Sequence, residues 1–266
     1  INNDSAIGIA LIALSRSSSL MNEAMERLST GKRINKASDD PAGIHQVMRL
    51  NAEIQGIETA SKNAADGQSL IDTLETSLSE VQSILLRMRE LTIQAISDTN
   101  SAADRLALDS ELSQLELEIT RIGSTTSFGG KPVFDGNLHY LQIGPRSGNT
   151  LEVQAYTLSA STLGLTQDLT TRNNAENYLG IIDTAIEDIN EKRGAAGALS
   201  NRLDFIMSNL DNSKVNLIKS RSTIEDADFA AESVKLAKAK ILEQVAIAMI
   251  AQANARTQWI LKLLEN

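Results

Sequence analysis

The side chains that most often carry catalysis or bind metals are few in this chain. Its two histidines, His45 and His139, lack a second histidine or a carboxylate at the spacing of a metal site. Asp39 and Asp40 could act as an acid/base pair. However, an aspartate directly before a proline, as Asp40 is before Pro41, is typical of a helix N-cap. We therefore assign the histidines structural or solvated roles and the aspartates to helix capping.

The run Gly129-Gly130-Lys131 partly matches a phosphate-binding loop. It lacks the glycine five positions before Gly130, and Pro132 stands where Ser or Thr would hold Mg²⁺. We interpret the run as a turn. The chain also has no cysteine, which excludes disulfides, thiolate catalysis and thiolate-bound metals. The sequence thus predicts no cofactor, no metal site and no enzymatic activity.

The overall charge further restricts the partners. The net charge is −9 with a pI of about 4.9, and lysines and arginines form no basic cluster. Binding to nucleic acid or to an anionic membrane needs such a cluster, so both are disfavoured. No apolar run reaches ~18 residues and no basic leader precedes one, so we expect neither a transmembrane helix nor a signal peptide. Secretion would then need a route without a cleaved leader.

Helical periodicity dominates the sequence and predicts a mainly α fold. Aromatic residues make up 3% of the chain, and there are three prolines, as in slender helical bundles. One helix of about 55 residues would span about 80 Å. We expect the N- and C-terminal segments to pair as a long antiparallel, coiled-coil-like rod, with one small β-hairpin region in the middle. The predicted helices cover about 5–30, 41–96 and 103–122, then a stretch that begins near 175 and stays periodic through Leu217, and a last helix from about 227 onward. The β region covers about 123–165.

The most apolar helical stretches lie at the two ends of the chain. The run from Val245 to Ala251 is apolar on all sides, and such a helix must be buried on all sides. Neighbouring copies of the same protein could provide that burial. We therefore predict a self-assembly interface formed by Leu11, Leu14, Met21, Met25, Leu242, Val245, Ile247, Met249 and Ile250.

Several segments match a known family in order and spacing. LSTGKRINKASDDPAG, at 28–43, closely resembles the N-terminal signature of bacterial flagellins, and 60–81 and 85–101 resemble the helices that follow it. Near the other end, SRSTIEDADFAAES at 220–233 and the segment 239–255 resemble the C-terminal signature. The resemblance covers most of the chain, which is similar to a minimal flagellin that lacks outer domains.

The resemblance implies a structural, motility-related subunit that polymerises into the flagellar filament. It implies a terminal filament-core domain of 1–40 plus 222–266 and a helical rod domain of 41–221 that carries the β region. Expected partners are other copies of the chain, the flagellar export apparatus, an export chaperone, and the hook-associated and cap proteins. The expected location is a secreted filament, either extracellular or periplasmic.

The resemblance also implies a partner in vertebrate hosts, Toll-like receptor five. Six residues match the family's receptor-contacting positions. Arg87, Leu91 and Gln94 are spaced at i, i+4 and i+7, which places them on one helix face. The alternative is that this patch is only a contact between subunits. The matching residues are Arg87, Arg89, Glu90, Leu91, Gln94 and Glu111.

Two other classes of protein remain open at this point. A hook–filament junction protein would share related terminal helices but would be present in few copies per filament. A secreted effector or adhesin would act as a monomer and would form no polymer at any concentration.

Overall fold

The computed structural model describes the backbone of residues 2–264 and the side chains of 7–256 and 259. Within that range the chain forms five helices and four short strands, which confirms the mainly α fold with a small β region. The elements, in chain order, are α1 (Asn2–Thr30), α2 (Pro41–Ile96), α3 (Ala102–Thr125), β1 (Ser127–Phe128), β2 (Lys131–Pro132), β3 (Leu138–Gln142), β4 (Thr150–Gln154), α4 (Arg172–Glu225) and α5 (Phe229–Leu264).

Helix starts follow the capping residues in the sequence. Asp40 Oδ1 accepts a 2.8 Å hydrogen bond from the amide of Gly43, which confirms Asp40 as the N-cap of α2. Ser101 and Asp104 form a capping box at the start of α3, in which each side chain accepts from the other's backbone amide. These bonds satisfy amide groups that have no partner inside the helix.

The chain divides into two compact units. One unit comprises the chain up to Ile54 and from Val215 onward, and the other comprises Gln55–Lys214. The terminal helices α1 and α5 belong to the first unit, whereas α3 and the strands belong to the second. Residues 1, 265 and 266 of the predicted terminal domain lie outside the described residues.

The core of the second unit is the apolar seam predicted from helical spacing. On α2, Leu78, Val81, Leu85 and Met88 have no exposed surface, and they pack in one cluster with apolar residues of α3, α4 and the β region. Tyr178 on α4 is also fully buried in this cluster. Heptad-like spacing on α2 therefore encodes a continuous buried stripe.

The β region consists of two hairpins. Antiparallel β1 and β2 are joined at Gly129 and Gly130, both of which have positive φ. Two positive φ angles are what a two-residue hairpin of type I′ requires, so this run is a turn, as predicted. The second hairpin, β3–β4, pairs Tyr140 with Glu152.

The β3–β4 hairpin packs along α2 in the second unit. Asn63 Nδ2 donates a 2.9 Å hydrogen bond to the carbonyl of Gln142. A Cβ atom on Gly56 would lie 2.7 Å from Pro145 Cβ, and one on Gly67 would collide with Leu141. Small residues on this face of α2 thus allow the close approach of the hairpin.

Candidate functional site

In the first unit, α1 and α5 pack against each other through small residues. Ala24 on α1 and Ala239 and Ala246 on α5 are almost completely buried. Ser17 is also buried, and its hydroxyl donates to the carbonyl of Leu14. Small side chains let the two helix backbones approach closely, so the pair has a defined contact face.

Both helices also line an apolar groove of about 710 Å³. Leu20 of α1 and Leu242, Val245 and Met249 of α5 contribute to its wall, while Arg16 is among its charged lining residues. The groove is formed by this unit alone. Its four larger apolar wall residues, Leu20, Leu242, Val245 and Met249, are all exposed in the single chain.

Most of the predicted assembly residues are exposed in the single chain. Leu14, Met21 and Ile250 are half-buried, and the other six are exposed. Ile247 is 53% and Met249 57% exposed. The predicted interface left out further exposed apolar residues of the same helices, although the helical spacing of apolar residues along both ends of the chain was a signal for them. These residues are Ile9, Ile12, Leu20, Phe229, Val234, Ile241 and Trp259.

A cluster of ion pairs links α1 and α5 at their contact face. Glu232 Oε1 lies 3.3 Å from Arg27 Nη1 and 2.7 Å from Lys235 Nζ, and Arg27 also pairs with Glu23. Burial raises the pKa of Glu232, but Lys235 and Arg27 outweigh burial and hold that pKa below its ordinary value. Glu232 is thus a buried but compensated charge.

The connectors that follow α1 and α4 are joined by backbone hydrogen bonds. The amide of Arg33 donates to the carbonyl of Glu225 at 2.6 Å, and the amide of Ala227 donates to the carbonyl of Gly31 at 2.9 Å. Lys32 Nζ pairs with Glu225 Oε1 at 2.6 Å. The two sequence signatures, at 28–43 and 220–233, therefore meet in space. Sequence spacing alone provided no signal for these pairs.

Asp39 and His139 make local contacts, whereas His45 faces solvent. Asp39 Oδ2 accepts from the amides of Asn35 and Lys36, which holds the connector turn. His139 Nε2 lies 3.2 Å from Asp135 Oδ1. His45 is exposed. Among the described side chains, those of 7–256 and 259, no group of three or more His, Asp or Glu is arranged to hold a metal ion.

The second predicted site lies on α2 and α3 in the second unit. Arg87 donates to Glu111 Oε1 through Nε at 3.0 Å and Nη2 at 2.7 Å, and it also pairs with Glu90. Arg89 pairs instead with Asp183 of α4, at 2.7 Å. The side chains of Arg87 and Glu111 are 50% and 45% exposed, so both charged groups remain accessible to solvent. Exposed ion pairs of this kind add little stability.

Leu91 does not share the exposed position of its neighbours. It is 1% exposed and packs in the core of the second unit, whereas Gln94 is exposed. Along the helix, Leu91 is turned about 40° from Arg87, toward the buried stripe. Leu91 is therefore buried in the single chain, beside the exposed Arg87 and Gln94, and its place in the receptor patch stays a prediction.

Comparison with known proteins identifies the family to which these helices belong. Residues 1–139 match the bacterial flagellin N-terminal helical region, and residues 179–264 match the bacterial flagellin C-terminal helical region. The chain belongs to the bacterial flagellin family. Only residues 140–178 lie between the matched regions, so this flagellin has no outer domain inserted there.

Individual flagellins agree with this assignment. Flagellin of Halalkalibacterium halodurans is 40% identical over 91% of this chain and 91% of its own length. Flagellin of Bacillus subtilis is 35% identical over 99% of both chains. The crystal structure of Bacillus cereus flagellin is similar with a TM-score of 0.52 and 35% identity, covering 56% of this chain and 88% of that one.

As a flagellin, the chain is a structural subunit of the bacterial flagellar filament, which is a homopolymer. Flagellin is a structural protein, and the residues that matter for a structural protein are its contacts with other subunits. None of the helices within residues 2–264 combines the length and the apolar character needed to cross a membrane.

Proposed function

We propose that the exposed apolar faces of α1 and α5 are the surfaces through which copies of this flagellin assemble. The observation that carries this proposal is the exposure of Leu11, Leu242, Val245, Ile247 and Met249 on two helices that already use their alanines to pair with each other. Contiguous exposed apolar surface of this kind marks protein–protein contacts.

Burial of these side chains supplies a driving force for assembly. Fully burying an aliphatic side chain of this size contributes about 1.5–3 kcal/mol. Because these residues are already about half covered, each contributes roughly half of that on assembly. Polymerisation therefore needs many of them together, as two long helices provide.

Polymerisation of an Ile247→Asp variant tests the proposal. The variant monomer should keep its helical circular dichroism, because Ile247 is 53% exposed before assembly. It should fail to sediment as polymer, since an unpaired carboxylate would be buried at the contact. Ile247→Val is the matched control and should polymerise. Normal polymer from Ile247→Asp would show that this face lies outside the assembly contact.

We further propose that the functional domains are 1–40 with 222–266 as filament core and 41–221 as the rod domain. The joined connectors at Gly31–Arg33 and Glu225–Ala227 support a boundary near these positions. Membership of the family also supports secretion through the flagellar export apparatus with the help of an export chaperone. It supports contacts with hook-associated and cap proteins in a filament outside the cytoplasmic membrane.

We also propose that Toll-like receptor five binds a patch formed by the exposed groups of Arg87, Glu90, Gln94 and Glu111, with Arg89 at the edge. Leu91, which is buried in the single chain, is the sixth residue of the predicted patch. The observation that favours this second function is that Arg87 and Glu111 come from different helices yet form one accessible charged patch. The alternative, a contact between subunits, predicts that loss of Arg87 impairs polymerisation and leaves receptor signalling unchanged.

A receptor-reporter assay with monomer tests this proposal. Arg87→Ala or Glu111→Ala should weaken the response about tenfold if each contact contributes roughly 1.4 kcal/mol. Arg121→Ala is the matched control, because Arg121 is exposed on α3 and its side chain pairs within its own helix, with Glu118 and Thr125. The absence of any response to the unchanged monomer would reject receptor binding.

A further inference from the structure

Phe205 on α4 exposes an aromatic ring at the surface of the second unit. It is 78% exposed, the highest value among the large apolar side chains that the structure describes. The sequence contains four phenylalanines, and two of them, Phe128 and Phe134, pack in or against the core of the second unit. Aromatic side chains bury a large apolar area and are enriched at protein–protein contacts. The exposed ring is therefore a candidate anchor for a contact with another molecule.

The helix surface around Phe205 carries little charge. One turn away on the same face, at i−4, i+3 and i+4, stand Asn201, Ser208 and Asn209, all of them exposed. The remaining neighbour of this kind, Arg202 at i−3, is positive. The chain as a whole has a net charge of −9, so its copies repel one another. A face without negative neighbours at these positions is one that a second copy can approach with little local repulsion.

The first unit contains a pocket that suits such a ring. It lies between the connector after α1 and the first turns of α2, and its volume is about 570 Å³. Its apolar lining includes Ile34 and Val47, which are each 5% exposed, and Met48, which is 65% exposed. Pockets of ~300–1,000 Å³ hold whole drug-sized ligands, so one aromatic side chain can enter. Methionine is flexible, and its sulfur forms favourable contacts with aromatic rings.

The charged groups at this pocket compensate each other. Lys32 Nζ lies 2.6 Å from Glu225 Oε1, and Glu225 Oε2 lies 3.7 Å from Arg221 Nε. The other polar side chains of the lining are uncharged, and they can hydrogen-bond to amides and hydroxyls such as those beside Phe205. Insertion of the ring would therefore bury no unpaired charge. The uncharged polar lining residues are Thr30, Asn35 and Asn51.

We propose that Phe205 of one subunit inserts into this pocket of a neighbouring subunit in the polymer. The ring and the pocket are different surfaces, so each subunit gives its ring to one neighbour and receives a ring from another. A contact of this heterologous kind builds an open helical polymer when it does not close into a ring of subunits. It is separate from the contact proposed for α1 and α5 and does not depend on it.

Cross-linking between two kinds of chain tests the proposal. The sequence has no cysteine, so a linker attaches only at introduced ones. One chain carries Asn209→Cys, one turn from Phe205, and the other carries Met48→Cys at the pocket. Both positions are exposed in the single chain. After the two chains are mixed and polymerised, a short bifunctional maleimide should join position 209 of one chain to position 48 of another, and mass spectrometry identifies the joined peptides.

Two comparisons make the cross-link specific. The same mixture before polymerisation should give almost none of the 209–48 product, because chance collisions do not hold the two positions together. In polymer, this product should exceed the 209–209 and 48–48 products, which a contact between identical surfaces would favour. Adding Phe205→Ala to the chain with Asn209→Cys should lower its yield.

Polymerisation of single variants measures the contribution of the ring. Phe205→Ala should leave the circular dichroism and melting of the monomer unchanged, because the side chain is exposed before assembly. It should raise the concentration of monomer that remains beside polymer by roughly tenfold. Met48→Glu should have a similar effect, and combining the two substitutions should add little because both remove one contact. Met48→Leu is the matched control and should polymerise like the unchanged chain.

Several results would overturn the proposal. These are polymer without the 209–48 product, a yield of that product equal to the like-with-like products or to the yield before polymerisation, and normal polymerisation of Phe205→Ala. The cross-link is measured in polymer whose α1 and α5 surfaces are unchanged. Its absence would therefore leave the contact proposed for those helices unaffected.

Discussion

The hydroxyl of Tyr178 on α4 donates a 2.6 Å hydrogen bond to Glu116 Oε1 on α3. Tyr178 is fully buried, and burial together with Glu116 raises its pKa far above the ordinary value, so it remains a neutral donor. Burial also raises the pKa of Glu116, with a further contribution from Asp109, although the bond from Tyr178 opposes this rise. The core of the second unit thus contains a polar contact that is costly to break.

We expect Tyr178→Phe to destabilise the second unit by about 1–3 kcal/mol, because it leaves the partly buried carboxylate of Glu116 without its donor. Urea unfolding followed by circular dichroism measures the change. Tyr140→Phe removes a hydroxyl from a residue that is 60% exposed and should have almost no effect. Equal stability of the two variants would show that the buried hydrogen bond contributes nothing.

Glu116 should also make stability depend on pH. Its pKa in the folded chain lies above the reference value of 4.5, so the folded state binds the proton more tightly than the unfolded state. Ionised Glu116 therefore opposes folding. This effect is absent below pH 4.5, where both states are protonated, and it grows as the pH rises through the folded pKa.

Glu116→Gln removes this dependence because glutamine accepts the bond from Tyr178 without charge. We expect the stability of the unchanged chain, relative to Glu116→Gln, to fall as the pH rises from 4.5 toward neutrality. Unfolding curves at a series of pH values measure the difference. Glu80→Gln, on an exposed part of α2, controls for the loss of one charge. Parallel stability curves for the unchanged chain and Glu116→Gln would contradict this prediction.

Much of the fold could be predicted because it depends on local sequence. The spacing of Leu78, Val81 and Leu85 defines one helix face, and Asp40 before Pro41 defines a helix start. Each signal lies within a few residues. By contrast, the pairs Arg33–Glu225 and Gln68–Ser200 join residues far apart in sequence. No periodicity encodes which distant residue will be the partner.

In the candidate sites, too, features that depend on local sequence could be predicted, whereas features that depend on distant elements could not. The exposure of Ile247 and Met249 followed from a helix too apolar on all sides for one neighbour to cover. Helical spacing also placed Leu91 near Arg87, but spacing alone does not tell where a buried stripe ends. The position of α3 decides this, because Leu112 of α3 shares the core that buries Leu91.

Two separate glycines, Gly123 and Gly180, give a further test of packing in the second unit. Gly123 on α3 is buried, and a Cβ atom there would collide with the backbone carbonyl of Leu158. We expect Gly123→Ala to destabilise the chain by about 1–3 kcal/mol or more, because a backbone group moves less easily than a side chain.

Gly180 is the matched control, since a Cβ atom on this helical glycine of α4 would meet no other atom within 4 Å. Alanine favours a helix interior over glycine, so Gly180→Ala should stabilise the chain by about 0.5–1 kcal/mol. Thermal unfolding should therefore move in opposite directions for the two variants. Shifts of the same sign would show that Leu158 moves aside readily.

The last prediction concerns the terminal helices before and after assembly. Few described side chains of α1 and α5 are buried in the single chain, namely Ser17, Ala24, Glu232, Ala239 and Ala246. Segments with so few buried contacts open at low free energy, and protease cleavage follows the population of open forms. We therefore expect brief proteolysis of monomer to trim both ends and to spare about 45–220.

Assembly should reverse this sensitivity, because neighbouring copies would cover the apolar faces of α1 and α5. Mass spectrometry of fragments from monomer and polymer, digested under the same conditions, measures the change. Ile247→Asp, which should not polymerise, separates the effect of contacts from that of solution conditions, and its ends should stay sensitive in assembly buffer. Equal protection of the ends in monomer and polymer would mean that α1 and α5 are stable without neighbours. Their exposed apolar faces would then need another explanation.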